Sequence, residues 1–189
     1  MEGENRGPHR PDGERVLLFG GTFDPPHNGH IHFLKSAIEA AKPARVVVMP
    51  SCIPPHKAAS ATPAALRLAM CQCFKPLFPV LEVSDWEIRQ GGKSYTIDTV
   101  KMLEQTYPGA SVYLCVGSDM LTTFTEWRDW QDLLRRTVLV AQSREEGDMP
   151  ALRAAARALE AEGGKVLFTD APAHIVRMIR PSVCLIYTK

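Results

Sequence analysis

His27 and His30 stand three residues apart in the stretch Gly20-Gly21-Thr22-Phe23-Asp24-Pro25-Pro26-His27-Asn28-Gly29-His30, between an apolar run and a helical pattern. Two glycines let the backbone approach a ligand closely and take positive φ where needed. The histidines fall where a helix starts, and there the N–H groups of the first turn and the helix dipole favour an anion. Imidazoles at such a place donate hydrogen bonds to phosphate oxygens and stabilise the charge that builds up in phosphoryl transfer. The glycine spacing fits neither a Walker A loop nor a dinucleotide fingerprint. No third Cys, His or carboxylate follows at zinc-site spacing, so metal ligation by the pair is the weaker reading.

Further candidates follow along the chain. Pro54-Pro55-His56-Lys57 is a rigid proline loop with two phosphate-capable donors, or simply a solvated surface loop. Ser94-Tyr95-Thr96-Ile97-Asp98-Thr99 places hydroxyls at a helix start, where they can meet a carboxylate or phosphate, or serve only as a cap. Asp119, just past a strand, is placed to accept ribose hydroxyls. Trp127 offers an indole that can stack on a planar ring, or it packs between helices like the nearby Trp130; Trp86 reads as packing in an extended segment.

The elements that must position these residues alternate. Arg15 to Gly21, Arg45 to Pro50, Ser111 to Gly117, Thr137 to Gln142 and Lys165 to Thr169 are short apolar runs of the buried-strand type, and Leu81 to Ile88 reads as extended. Asn28 to Ala41 carries Ile31, Leu34, Ile38 and Ala41 at helical spacing; Pro63 to Phe74, Ser94 to Tyr107 and Pro150 to Glu162 are further helices. Strand-helix alternation predicts an α/β fold: a Rossmann-like, doubly wound, mainly parallel sheet with helices on both faces. Ligands of such sheets bind at the carboxyl ends of the strands, so the loops after Phe19, Met49, Val116 and Val140 are where chemistry is expected.

The 189 residues suit one domain, with residues 1–14, polar and rich in Pro and Gly, as a mobile N-terminal tail and 15–189 as the folded unit. Charge is nearly balanced, with 22 Lys plus Arg against 21 Asp plus Glu, so no global field invites a nucleic acid. No apolar run is long enough to span a bilayer, and no secretory signal opens the chain. Five cysteines without metal or redox spacing read as reduced thiols of a cytoplasmic protein.

Gly20 to His30 resembles the G-G-T-F-D-P-x-H-x-G-H signature of the nucleotidyltransferase superfamily, and most resembles bacterial nicotinate-nucleotide adenylyltransferases. Related phosphopantetheine adenylyltransferases usually carry Thr where His27 stands, so the double His favours the pyridine-nucleotide branch. Pro54 to Lys57 is similar to the family's P-P-H-K or P-P-H-R loop, Ser94 to Thr99 to its S-Y-T-x-x-T, and Gly117 to Trp127 to its G-x-D-x-x-x-x-F-x-x-W block. The resemblance implies transfer of an adenylyl group from ATP to nicotinate mononucleotide, giving deamido-NAD and pyrophosphate, with Mg²⁺ bound through the triphosphate. It assigns His27 and His30 to catalysis, and Gly20, Gly21, Thr22, Phe23 and both histidines to ATP. It assigns His56, Lys57, Thr96, Asp119, Trp127 and Arg144 to the mononucleotide, with Trp127 against the pyridine ring. A homo-oligomer is compatible with it.

Near the C-terminus the chain departs from the family. The usual I-S-S-T-x-I-R, whose hydroxyls and arginine hold ATP phosphates, is met by Pro172-Ala173-His174-Ile175-Val176-Arg177-Met178-Ile179-Arg180, without Ser or Thr. Aligned without a gap, Ile179-Arg180 falls on the last two positions and Arg180 becomes an ATP-binding candidate. Alternatively, Val176 to Lys189 matches the family's final segment, and the signature is deleted together with adjoining helix. This shortened or divergent segment leaves one alternative open, a catalytically impaired nucleotide-binding homologue; a second, an adenylyltransferase acting on nicotinamide mononucleotide, turns on backbone donors near Thr96 and Trp127 that tell carboxylate from carboxamide.

Overall fold

The computed structural model describes residues 13–55, 60–143 and 147–169. Its strands are β1 (Arg15–Gly21), β2 (Arg45–Pro50), β3 (Leu81–Val83), β4 (Ser111–Gly117), β5 (Thr137–Gln142) and β6 (Lys165–Phe168). They form one sheet in the order β3-β2-β1-β4-β5-β6, every neighbouring pair parallel. Parallel strands need crossovers, and helices supply them: α1 (Asn28–Ala41), α2 (Ala64–Met70), α3 (Trp86–Gln90), α4 (Thr96–Thr106), α5 (Ser118–Thr122), α6 (Trp130–Arg136) and α7 (Met149–Ala161).

Alternation along the strands splits the core between the two faces. Leu17, Phe19, Val46, Val48 and Val140 point to one side, where Leu34, Ala37 and Ala41 of α1 cover them together with Cys71 and Phe74. Val16, Leu18, Val47, Met49, Leu114 and Leu139 point to the other, under Ile97, Val100 and Leu103 of α4, Leu133 and Leu134 of α6, and Leu152 and Leu159 of α7. The Rossmann-like sheet with helices on both faces therefore stands. Strands buried on both sides read as unbroken apolar runs. Full burial of each Leu or Phe contributes about 1.5–3 kcal/mol.

Two readings of the sequence need correction. Leu81 to Ile88 is strand only as far as Val83; Trp86–Gln90 is helical, because Ser84 Oγ accepts the Trp86 N–H (3.3 Å) and an Asp85–Arg89 ion pair at 2.9 Å spans one turn. The helix predicted from Pro63 to Phe74 is α-helical only to Met70, and tightens into a 3-10 segment, Cys71–Leu77, that contains Pro76. Proline has no N–H for an α-helical bond. The segment after β4, given no element from the sequence, folds as α5, a 3-10 turn at Phe124–Glu126 and α6, each too short for a periodic signal.

Candidate active site

Strand order reverses at β1, whose neighbours are β2 on one side and β4 on the other. The chain leaving β1 and the chain leaving β4 part there, opening the crevice in which doubly wound sheets take their ligands. The His27/His30 loop follows β1, and Asp119 stands in the first turn of α5, directly after β4.

The loop is held from below by aromatic packing. Phe23 is buried and adopts a left-handed φ of 50°, unusual for a bulky residue. Its ring sits 5.4 Å from Phe19, 5.4 Å from Phe74 and 5.1 Å from His30, which fixes it there. The two glycines divide their duties. A side chain at Gly21 would meet the Phe23 ring at 3.0 Å, so Gly21 serves the fold; nothing lies within 4 Å of a Cβ built on Gly20, which is the glycine with room for a ligand beside it.

His27 is the N-cap of α1, with extended backbone (φ −144°, ψ 171°). Its N–H donates to His30 Nδ1 at 3.2 Å, and the two imidazoles stack with centroids 3.7 Å apart. With Nδ1 accepting, the ring proton of neutral His30 resides on Nε2, the assignment this hydrogen bond dictates. His30 thereby presents an N–H donor at the mouth of a helix N-terminus. Asp24 reaches across to the 60–62 segment: hydrogen bonds from Ser60 and Thr62 hold its carboxyl below the usual range.

On the other side of β1, Ser94 and Thr99 do not await a ligand. Buried Glu87 takes hydrogen bonds from the Thr99 hydroxyl (2.5 Å) and from Ser94, while burial pushes its carboxyl above the ordinary value. Ser94 Oγ also accepts the Cys52 N–H (2.9 Å), and the Ser94 N–H donates to Ile53 O (2.9 Å), tying the start of α4 to the end of β2. The N-cap of α4 is Tyr95, with no side-chain cap bond, so the hydroxyls of this stretch do not cap the helix. Thr96, half-buried at the first helical position, stands beside that brace.

Trp127 is half-buried, 5.2 Å from the fully buried Phe124. Its neighbour Arg128 lies over the Tyr95 ring at 4.6 Å and reaches Asp98 at 3.9 Å. The Trp127 loop and the start of α4 are thus brought together from positions some thirty residues apart. Beside them a cavity of about 400 Å³, lined by Trp86, Glu87, Lys93, Tyr95, Asp98 and Lys101 among others, shares no residue with the histidine loop.

A family model described as cytidylyltransferase-like matches residues 18–181. A Neisseria meningitidis protein named as a nicotinate-nucleotide adenylyltransferase is 37% identical over 169 residues, covering 86% of this chain and 84% of that one. The chain belongs to the nicotinate-nucleotide adenylyltransferase family. A relative of the same name from Shouchella clausii is 40% identical over 132 residues, 69% of each chain. Among solved structures, Plasmodium falciparum nicotinic acid mononucleotide adenylyltransferase complexed with NaAD superposes with a TM-score of 0.69 at 15% identity, over 87% of this chain and 79% of that one. At that identity the likeness speaks for the shared fold.

Of the residues expected at this adenylyltransferase-family site, the fold gathers Gly20, Gly21, Thr22, Phe23, His27 and His30 between the end of β1 and the first turn of α1, and sets Asp119 just past the neighbouring strand end. His56, Lys57, Arg144 and Arg180 lie outside the described residues, as do the N-terminal tail and the C-terminal segment after Thr169. Two groups escaped the sequence reading: Glu87, hidden in a segment taken as extended, and Arg67, a fully buried arginine on α2. A charged residue inside an apolar helical stretch was the available signal for Arg67. None of the four described cysteines is in a disulfide; burial pushes Cys71 up to about 12 and Cys115 higher still, as expected of structural rather than reactive thiols. Among the described residues no helix is long and apolar enough to cross a membrane.

Proposed function

We propose that the chain transfers the adenylyl group of ATP to nicotinate mononucleotide, giving deamido-NAD and pyrophosphate in NAD biosynthesis. The observation that carries this reading is the stacked His27/His30 pair at the start of α1, set at the point where strand order reverses, in a member of this family. A phosphate oxygen of the mononucleotide attacks the α-phosphorus of ATP in line; the bond from α-phosphorus to the bridging oxygen breaks, and pyrophosphate leaves with its electron pair. A phosphate dianion is already a competent nucleophile, so positioning and charge stabilisation supply the catalysis without a general base.

In this reading His30 donates through Nε2 to an α-phosphate oxygen, and His27 to the neighbouring phosphates. Gly20, Gly21, Thr22 and Phe23 form the floor beneath ATP, with Gly20 leaving it room. Asp119 takes a ribose, Thr96 and Trp127 the nicotinate ring, and His56, Lys57 and Arg144 the mononucleotide phosphate; Arg180 is the C-terminal candidate for ATP. We assign 15–189 to a single nucleotidyltransferase domain of the cytoplasm.

Nucleotidyltransferases of this kind generally use a divalent metal with ATP. Among the described residues no three His, Cys, Asp or Glu side chains cluster as a metal cage. Mg²⁺ keeps several waters and is held mainly by substrate phosphates, so no side chain is assigned to it. Bound with ATP, Mg²⁺ neutralises phosphate charge. Purified protein with Mg-ATP is expected to release pyrophosphate when nicotinate mononucleotide is added, and more slowly with nicotinamide mononucleotide. No release with either mononucleotide rejects the proposal; faster release with the amide transfers it to that acceptor.

A further inference from the structure

We propose that Arg67 is a positioning residue for adenylyl transfer, a buried guanidinium that sets the turn after β1 against the end of β2 so that the two substrates meet in line; this rests on the activity proposed above. Arg67 projects from α2 and is 1% exposed. Its Nη1 donates to Thr22 O and to Ser51 O, both at 2.8 Å; Nη2 donates to Cys52 O at 3.1 Å, and Nε to Thr62 O at 3.3 Å. One planar group thus holds four carbonyls from three separate segments.

Two of those segments lead to different substrates. Thr22 belongs to the loop assigned to ATP. Ser51 and Cys52 open the Pro54-Pro55-His56-Lys57 stretch assigned to the mononucleotide phosphate, and the Cys52 N–H is held by Ser94, next to the Thr96 assigned to nicotinate. The β1–β2 ladder runs as far as Gly21 and Pro50, and one backbone bond extends it, from the Ser51 N–H to Gly21 O at 2.9 Å. Arg67 adds the bridge between Thr22 and Ser51 through a single nitrogen, which sets their separation rigidly.

Its charge is equally unusual. None of the ion pairs among the described residues includes Arg67: carbonyl dipoles solvate the buried cation directly, and the Asp24 carboxylate of the same loop acts on its charge through space. Burying a charge without a direct ion pair is costly, and a neutral donor could satisfy these carbonyls more cheaply. Beneath a loop that receives a triphosphate the cation has a use: it favours the anion across the Gly20–Phe23 floor. Lysine preserves the charge, yet its one nitrogen cannot span three segments as the guanidinium fork does.

The test separates alignment from affinity and from folding. Arg67→Lys and Arg67→Met are compared with wild type by thermal melting, by separate titrations of Mg-ATP and nicotinate mononucleotide, and by steady-state pyrophosphate release. Arg67→Lys is expected to stay folded and to bind each substrate within about threefold of wild type, with kcat down about tenfold or more, because small misplacements of reacting groups are expensive. In Arg67→Met, which also loses the charge, kcat should fall further. A Lys variant with kcat within about twofold of wild type overturns the proposal, as does a loss confined to KM for one substrate. A Lys variant that does not fold makes Arg67 a folding residue and overturns it too. Wild-type protein that releases no pyrophosphate overturns the activity itself and this proposal with it, an outcome visible before any variant is made.

Discussion

The backbone N–H of His27 donates to Nδ1 of His30 at 3.2 Å, while the two rings stack 3.7 Å apart at an interplanar angle of 29°. Each histidine therefore fixes the other: the N-cap orients the His30 ring, and that ring forms a wall for His27. A donor held by the first turn of a helix need not reorganise when charge develops in front of it, which is the condition for strong transition-state stabilisation.

His30→Ala is expected to lower kcat by roughly 10²- to 10³-fold, the cost of losing one preorganised donor to a developing charge. The melting temperature should change little, since His30 is half-buried and belongs to neither core cluster. Near-normal turnover in this variant would remove His30 from the reaction.

Gly29→Ala offers a subtler probe of the same stack. A Cβ on Gly29 would stand 3.0 Å from His27 Cε1 and 3.1 Å from Nδ1, so the His27 ring must give way by a few tenths of an ångström. Alanine is the better helix former by about 0.5–1 kcal/mol, so thermal stability should hold or rise. Turnover should nevertheless fall. Unchanged kcat with raised stability would show that the ring's position does not matter to the chemistry.

Glu87 makes a pH-dependent contribution whose sign is set by burial. Its folded-state value is raised above the ordinary 4.5 by desolvation, opposed by the hydrogen bonds of Thr99 and Ser94. Between the unfolded and the raised folded value the native state binds more protons, so the contribution is full below 4.5 and is lost as pH rises through the folded value. Glu87→Gln removes this loss. The melting temperature of the variant minus that of wild type should therefore increase as pH climbs from 4.5 towards neutrality; a difference that stays flat or shrinks would contradict a raised value.

Trp127→Ala should raise KM for nicotinate mononucleotide about tenfold while leaving KM for ATP near its wild-type value, since stacking of a planar ring on an aromatic side chain contributes on the order of 1–3 kcal/mol. Trp127→Phe should recover most of the loss. Equal changes in both KM values would place Trp127 in the packing around Phe124, 5.2 Å away, rather than in the mononucleotide pocket.

Much of this was legible in contiguous residues. The alternation of apolar runs with helical spacing marks five of the six strands with their ends within a residue, because burial of the central strands on both faces confines their charged and most of their polar residues to the strand ends. The histidine loop was legible for a similar reason: its key hydrogen bond spans only three residues, so motif and geometry are nearly the same information. Even there the sequence could not divide the labour between Gly20 and Gly21, which depends on where the Phe23 ring comes to rest.

Tertiary structure alone decided how the separate loops are held to one another. The bonds from Arg67 to Thr22 and from Cys52 to Ser94 join residues 45 and 42 positions apart, and nothing in a local window encodes such a partner. Ser94 and Thr99, which look ligand-ready in the sequence, are engaged by a carboxylate whose burial only the packed fold creates. Periodicity and capping are properties of neighbouring residues and survive in the sequence. The bracing of a site across a sheet depends on which strands lie side by side, and that is settled when the sheet assembles around its two cores.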